Sequence, residues 1–153
     1  MSWEPRENAT SLGDDNGSLF VKLGDGDSIE GVFVDSPREF YVKWEVVGGK
    51  NTKIESDEPQ DGYKWRFKSN FAQLVNGEVK MRIFEGGAMI YDALSGLNSA
   101  GYELGQTVVK VSRKGLKLNT DYTTLPLPVM LSESQLDSIA AAKRHSLESE
   151  VGL

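Results

Sequence analysis

Aromatic and basic residues alternate along residues 63–68, the stretch Tyr-Lys-Trp-Arg-Phe-Lys. Successive side chains of a β-strand point to opposite faces, so Tyr63, Trp65 and Phe67 would share one face and three cations the other. Large rings fill cores or stack on planar ligands, and cations bind phosphates or carboxylates. This stretch therefore predicts a strand with one face for a core and one face for anions.

Basic residues recur at one parity in the neighbouring predicted strands. Lys80 and Arg82 alternate with apolar residues after Asn76-Gly77, a strong hairpin signal, and Lys43 lies on the polar side of an earlier strand. Like charges side by side destabilise a sheet by roughly 0.2 to 1 kcal/mol per pair. A cluster of cations without interspersed carboxylates therefore favours an anion-binding face over a merely solvated one.

The aromatic residues have two interpretations. Phe40, Trp44, Trp65 and Phe67 are expected in the core, because burial of large rings stabilises small domains. A small barrel packed at normal density cannot hold these rings and Tyr63 together, so one or two of them are expected at its open ends, where bases could stack, and Trp65 is kept as a binding candidate. Tyr41 and Phe84 fall on the outward parity, where they either stack on a ligand or lie under a loop or helix.

The predicted ligand-binding residues combine these cations and rings. They are Tyr41, Lys43, Lys64, Trp65, Arg66, Lys68, Lys80, Arg82, Phe84, Lys110 and Arg113. Lys114 and Lys117 could extend the set from a late turn, although any of these late cations is also compatible with an ordinary turn position.

Charge is segregated along the chain. The net charge is −6, but residues 1–37 hold eight carboxylates and two basic side chains, whereas residues 63–84 hold five basic side chains and one carboxylate. Residues 106–120 add four basic side chains and no carboxylate. Association depends on where charges lie, so an acidic total remains compatible with a basic binding face.

Several kinds of chemistry lack their residues. There is no cysteine, and His145 is the only histidine, so neither a thiolate or zinc site nor a His-based triad can be assembled; His145 is expected at the surface. The acidic turn Asp25-Gly26-Asp27 lacks the ligand spacing of a calcium loop. No pair of carboxylates stands out as an acid–base pair. We therefore expect no catalytic residue, no metal and no cofactor.

The order of elements predicts a mainly β protein. Strands are expected at residues 18–23, 29–34, 38–47, 63–74, 79–84, 106–113 and 120–125, a polar loop at 48–62, and helices at 88–97 and 132–147. The second helix begins with Ser132-Glu133-Ser134-Gln135, which has the spacing of a capping box. Pro37 separates two of the strands, and the even-numbered residues of 38–47 form the core face. A helix before the penultimate strand is typical of the OB-fold, a five-stranded, partly open barrel that binds oligonucleotides and oligosaccharides.

Four short runs also resemble phage-encoded single-stranded DNA-binding proteins with an OB-fold. They are residues 27–34 (DSIEGVFV), 40–44 (FYVKW), 84–87 (FEGG) and 107–113 (TVVKVSR). The resemblance spans roughly residues 18–128 and implies protection of transient single strands during replication or recombination. Residues 18–130 would be the nucleic-acid-binding domain, residues 1–17 a flexible arm, and residues 131–153 a C-terminal helix and tail.

The resulting hypothesis is a non-enzymatic protein that binds single-stranded DNA with little sequence preference. The C-terminal helix, with acidic Glu148 and Glu150 after it, would dock replication or recombination proteins or a second copy, and would be dispensable for folding. No apolar run reaches the length of a membrane span, and a cytoplasmic location is expected. An RNA-binding OB module and a nucleic-acid-free adaptor remain alternatives.

Overall fold

A computed structural model of the protein describes residues 19–148 as a mainly β fold, in which six strands form one antiparallel sheet that does not close. The strands are β1 (Ser28–Val47), β2 (Lys50–Ser56), β3 (Lys64–Val75), β4 (Glu78–Gly86), β5 (Val109–Lys114) and β6 (Asp121–Pro126). The α-helices are α1 (Ala88–Ser99) and α2 (Glu133–Ala141). The sheet order is β4-β3-β1-β5-β6, with β2 paired to β1. The expected arm at residues 1–17 and the tail residue Glu150 lie outside the described residues.

Strand β1 is continuous through Pro37, where the sequence predicts a break. Its register with β3 runs from Val34 opposite Asn70 to Arg38 opposite Lys68, so three residues of β1 oppose one of β3. This irregularity is a β-bulge. A bulge accommodates proline, because its extra residues are unpaired and the N–H that proline lacks is not needed for the sheet. Two predicted strands are therefore one bent strand that pairs with β2, β3 and β5.

Strand β2 lies within the stretch that the sequence predicts as a loop. Gly48 and Gly49, both with positive φ (60° and 82°), form the two-residue turn that reverses β1 into β2. The strand itself is polar, and a polar strand gives no apolar alternation by which periodicity could detect it. The Asn76-Gly77 hairpin, in contrast, forms between β3 and β4 as predicted, with φ values of 53° and 83°.

The remaining elements agree largely with the sequence. Helix α1 forms as predicted, and β5 and β6 form a hairpin close to the predicted ranges. Before β1, the predicted first strand is reduced to a single parallel bridge between Phe20 and Ile83. The side chain of Ser132 accepts a hydrogen bond from the Gln135 backbone and completes the predicted capping box, but α2 ends at Ala141, short of residue 147.

The inner face of the sheet, the side on which Phe67 and Phe71 lie, carries the main core. Its buried residues are Ile29, Phe33, Phe67, Phe71, Phe84, Ile90, Leu94, Val109 and Val111. Helix α1 contributes Ile90 and Leu94 to it. Gly31 lets β1 approach β3 closely here, because a Cβ at this position would lie 2.4 Å from the Ala72 carbonyl oxygen.

The outer face, the side of Ala72 and Lys68, has an apolar cluster of its own. Val32, Val34, Ala72 and Val108 pack with Ile139 of α2, which is 6% exposed. The C-terminal helix therefore covers part of the sheet. This packing argues against the expectation that the helix is dispensable for folding, because removal of α2 would expose these four buried residues.

The chain beyond α2 is also held against the sheet. Asn70 donates to the His145 carbonyl oxygen (3.1 Å) and accepts from the His145 backbone N–H (2.8 Å). His145 Nε2 lies 2.9 Å from the Met81 carbonyl oxygen, and Arg144 donates to Asp35 across 2.8 Å. His145 is therefore half-buried and bonded to the sheet, not a free surface residue as predicted.

Candidate functional site

The strand register divides the predicted basic face in two. Directly opposed residues of adjacent strands project to the same side of a sheet. Lys64, Arg66 and Lys68 alternate with Phe67 and project to the outer face. Lys80 and Arg82 oppose Gln73 and Phe71 and project to the inner face.

Lys43, like Lys80 and Arg82, does not project to the outer face. The residue lies beside Val42, whose partner is Lys64, and therefore has the opposite parity. Its amine lies 3.6 Å from Glu45 and 5.3 Å from the ring centroid of Tyr63. The single basic face expected from sequence parity is therefore wrong, because the parity of one strand has no fixed relation to that of the next until the register is known.

Lys68 is buried in an ion-pair network on the outer face. Its side chain is 1% exposed, and its amine lies 3.0 Å from Glu55, whose side chain is 3% exposed. Glu55 also accepts a hydrogen bond from Arg38 at 3.0 Å. The cations surround the buried ring of Phe40, with Lys68 5.0 Å and Arg38 4.9 Å from its centroid. Lys68 is therefore a structural residue here, because a buried amine cannot reach a ligand.

The network fixes the charge of Glu55. Burial opposes ionisation of this carboxyl, but hydrogen bonds from Lys68 and Arg38 outweigh burial and hold its pKa below the ordinary value of 4.5. Burial also opposes the charge of Arg38, and its hydrogen bonds to Asp57 and Glu55 nevertheless raise its pKa above the ordinary value.

A second carboxylate, Glu85 of β4, holds the next two cations of the outer face. Lys53 lies 2.5 Å from one of its oxygens, and the Nε of Arg66 lies 3.3 Å from the other. The Arg66 side chain remains 37% exposed, whereas that of Glu85 is 16% exposed. Arg66 is thus anchored by its pair and still open to solvent.

The predicted stacking rings are in the core or at its edge. Phe84 is 3% exposed and packs 5.1 Å from Phe33 and 5.7 Å from Phe71, so it cannot stack on a ligand. Its parity is that of the inner face, as for Arg82, which explains the wrong prediction. Trp65 is half-buried, 5.0 Å from the Tyr91 ring, and its indole N–H donates to Glu39.

Tyr41 lies opposite Trp65 in the β1–β3 register, so it projects to the same side as Trp65. It is half-buried. This position is away from the outer-face cations, and the structure does not bring Tyr41 together with Lys64 and Arg66.

Trp44 is the exposed ring that the sequence prediction assigned to the core. Its exposure is 59%, and that of Val46 two residues later is 72%. The β1–β3 ladder ends at Val42 opposite Lys64, while the β1–β2 ladder continues through Trp44 opposite Lys53. The core face of β1 is therefore exposed beyond Val42, where β3 no longer flanks it. The alternation of residues along β1 does not reveal where the neighbouring strand ends, so the sequence could not predict this exposure.

Several outer-face residues, joined by Lys43 and Gly62, line one cleft of about 400 Å³, which we call the Trp44 cleft. Its lining residues are Val42, Lys43, Trp44, Gly62, Lys64, Arg66 and Glu85. Lys64 is exposed and makes no ion pair within residues 19–148. The cleft thus combines an exposed indole, an unengaged ammonium and a half-exposed guanidinium.

The late cations lie elsewhere. Lys110 of β5 opposes Glu30, near the start of β1 and twelve positions before Val42. Arg113 donates to the Leu23 carbonyl oxygen at 2.9 Å, and its buried Nε has no hydrogen-bond partner among the described residues. Neither residue lines the Trp44 cleft, so the structure does not join them to Lys64 and Arg66.

A larger cavity of about 470 Å³ lies between the β1 bulge and α1. Phe33, Phe67 and Tyr91 line it together with Asp35 and Glu103, and none of its described lining residues is Lys or Arg. Carboxylates without balancing cations repel phosphates, so this cavity suits polyanions less well than the Trp44 cleft.

Comparisons with protein-family models, with curated proteins and with solved structures found no match. Among residues 19–148, no helix has the length and apolar character needed to cross a membrane.

Proposed function

We propose that the protein binds single-stranded DNA, with little sequence preference, at the Trp44 cleft. The observation that carries this proposal is the 59% exposed indole of Trp44 in the same cleft as Lys64 and Arg66. An exposed indole is available to stack on a base, and two neighbouring cations provide the complementary charge for a phosphate backbone.

The combination favours single strands over duplexes. Stacking of a base on an aromatic side chain contributes about 1 to 3 kcal/mol per base and requires an unpaired base. Lys64 and Arg66 are alternate residues of one strand, and a phosphate can approach either from the outer face. Because every base has a π-face and every nucleotide a phosphate, this type of site discriminates little between sequences.

We also propose that the sheet is a variant of the OB-fold. Strands β1, β3, β4, β5 and β6 would be its five strands, with α1 between the third and the fourth, and β2 would be an addition in the first connection. OB-folds bind oligonucleotides on the face of their second and third strands and with the first and last connections. The Trp44 cleft lies at the corresponding strand and connection, which supports both proposals together.

The resemblance to phage-encoded single-stranded DNA-binding proteins supports a biological role in replication or recombination. In that role the protein would cover transient single strands, and low sequence preference would be an advantage. The acidic balance of the whole chain is consistent with such a role, because the contact depends on the local cations and not on the total of −6.

A titration with labelled oligonucleotides tests the proposal. Single-stranded DNA, duplex DNA and RNA of equal length are compared at about 50 and about 200 mM salt. The expected result is preferential binding of single-stranded DNA, weakened by salt. Tighter binding of RNA than of DNA would indicate an RNA-binding module instead. Equal affinity for duplex and single-stranded DNA would mean that base stacking does not contribute. Absence of binding at low salt would favour an adaptor that binds no nucleic acid.

A further inference from the structure

Two clefts meet at Arg66 and Glu85. The Trp44 cleft contains both residues, and so does a second cleft of about 340 Å³ between the end of β4, the start of α1 and β6. We call this second space the β4–β6 cleft. Its other lining residues include Gly87, Thr120 and Tyr122.

The β4–β6 cleft has unused polar groups. The hydroxyl of Thr120 is buried and has no hydrogen-bond partner among the described residues. Helix α1 begins here, and its N-cap, Gly87, provides no side-chain hydrogen bond to the first turn. Arg66 approaches the same point, since a Cβ on Gly87 would lie 3.4 Å from an Arg66 Nη1 atom. The cleft thus offers an anion the Arg66 guanidinium and the first backbone N–H groups of α1, together with the half-buried ring of Tyr122.

Glu85 occupies the junction with a charge of the wrong sign for a polyanion. One of its oxygens lies 2.5 Å from Lys53 and the other 3.3 Å from Arg66. The Lys53 amine also has Glu55 at 3.4 Å, so Glu85 is not its only counter-charge. A carboxylate that accepts from two cations makes the same kind of contact as a bridging phosphate oxygen pair.

We propose that the nucleic-acid strand runs from the Trp44 cleft over Arg66 into the β4–β6 cleft, and that Glu85 is an internal competitor for the phosphate at the crossing. This inference rests on the proposed function and adds the path of the strand and the residue that limits its affinity. A phosphate at the crossing takes Arg66 and Lys53 from Glu85. The carboxylate holds both cations in place while the site is empty and opposes binding by its own charge.

Replacing the carboxylate with its neutral isostere tests the competition. Glu85→Gln is expected to bind a labelled single-stranded DNA roughly tenfold more tightly, since one charge-assisted contact no longer has to be displaced. Equal affinity of Glu85→Gln and wild type would overturn the inference.

Asp57→Asn is the matched control. It makes the same change in net charge and removes a similar carboxylate–cation contact, with Arg38 at 2.7 Å, but neither Asp57 nor Arg38 lines either cleft. If both variants gain affinity equally, the effect is that of total charge and Glu85 is not a competitor. If neither the wild type nor any variant binds nucleic acid, the proposed function itself fails.

A second variant covers the case in which Glu85→Gln perturbs folding. Tyr122→Ala should shorten the footprint on a long oligonucleotide, and it should weaken binding of a long oligonucleotide more than binding of one of about four nucleotides, at the low end of OB-fold site sizes. A thermal melt of each variant separates folding from binding. An unchanged footprint in folded Tyr122→Ala would place the strand outside the β4–β6 cleft and overturn the proposed path.

Discussion

The amine of Lys68 and the carboxylate of Glu55 lie 3.0 Å apart, with side-chain exposures of 1% and 3%. The pair joins β3 to β2, two strands that are not neighbours in the sheet, across the ring of Phe40. Breaking a buried ion pair leaves an uncompensated charge, which is strongly destabilising. This pair is therefore expected to be essential to the folded state.

Lys68→Met should lower the free energy of unfolding by about 3 kcal/mol, the lower end of the usual range because Arg38 still compensates Glu55. Urea denaturation measures this loss. Asp57→Asn is the control, because it removes another partner of Arg38 whose side chain is 79% exposed, and it should cost less than about 1 kcal/mol. Similar losses in the two variants would contradict the assignment of Lys68 to the structural network.

Stability should also depend on pH through Glu55. Its pKa in the folded protein lies below the ordinary 4.5, so the folded state binds its proton less readily than the unfolded state. The stabilisation is complete above pH 4.5 and is lost as the pH falls through the lower, folded pKa. The free energy of unfolding, measured from neutral to acidic pH, should fall less steeply in Glu55→Gln than in the wild type. An identical pH dependence would mean that other carboxyls carry it.

The C-terminal helix should contribute to stability through Ile139, which is 6% exposed among the outer-face residues. Ile139→Ala is expected to cost about 2 to 4 kcal/mol, as buried isoleucine truncations do. Leu136→Ala, on the same helix but 42% exposed, should change stability by less than about 0.5 kcal/mol. A melting scan decides between this result and the helix that the sequence predicts to be dispensable, for which both variants would melt like the wild type.

Particular residues show how far sequence reasoning reaches. The Asn76-Gly77 turn, helix α1 and the capping box at Ser132 depend on local chemistry, and all three form as predicted. Strand β2 and the exposure of Trp44 depend on which strands are neighbours and where each ends, which alternation within one strand does not encode.

The candidate site was predicted in part for the same reason. Lys64 and Arg66 belong to one strand, so their shared face follows from period two alone. Lys80 and Arg82 were predicted on the same face because they alternate with apolar residues after the hairpin turn, but the observed register places them on the opposite face of the sheet. Glu85 was not predicted as a site residue, because its importance comes from contacts with Lys53 and Arg66, distant in sequence.

Arg66 and Lys80 lie on opposite faces of the sheet, so replacing each one tests which face binds DNA. Arg66→Ala should weaken single-stranded DNA binding for all sequences. It should also reduce the slope of log affinity against log salt concentration by about 0.7, the value for one lost phosphate contact. Lys80→Ala removes the same charge from the inner face and should leave the slope unchanged. The reverse result would mean that the DNA lies on the inner face, and equal effects would indicate a general charge effect.

Trp44 provides the most direct test of the central claim that single-stranded DNA binds at its cleft. Affinity for one labelled oligonucleotide is measured for wild type, Trp44→Phe and Trp44→Ala, with a melting scan of each. Because the ring is 59% exposed, all three should melt alike. Trp44→Ala should lose about 1 to 3 kcal/mol of binding free energy, and Trp44→Phe should retain most of it, because a smaller ring still stacks on a base. Wild-type affinity in a folded Trp44→Ala protein would contradict the account.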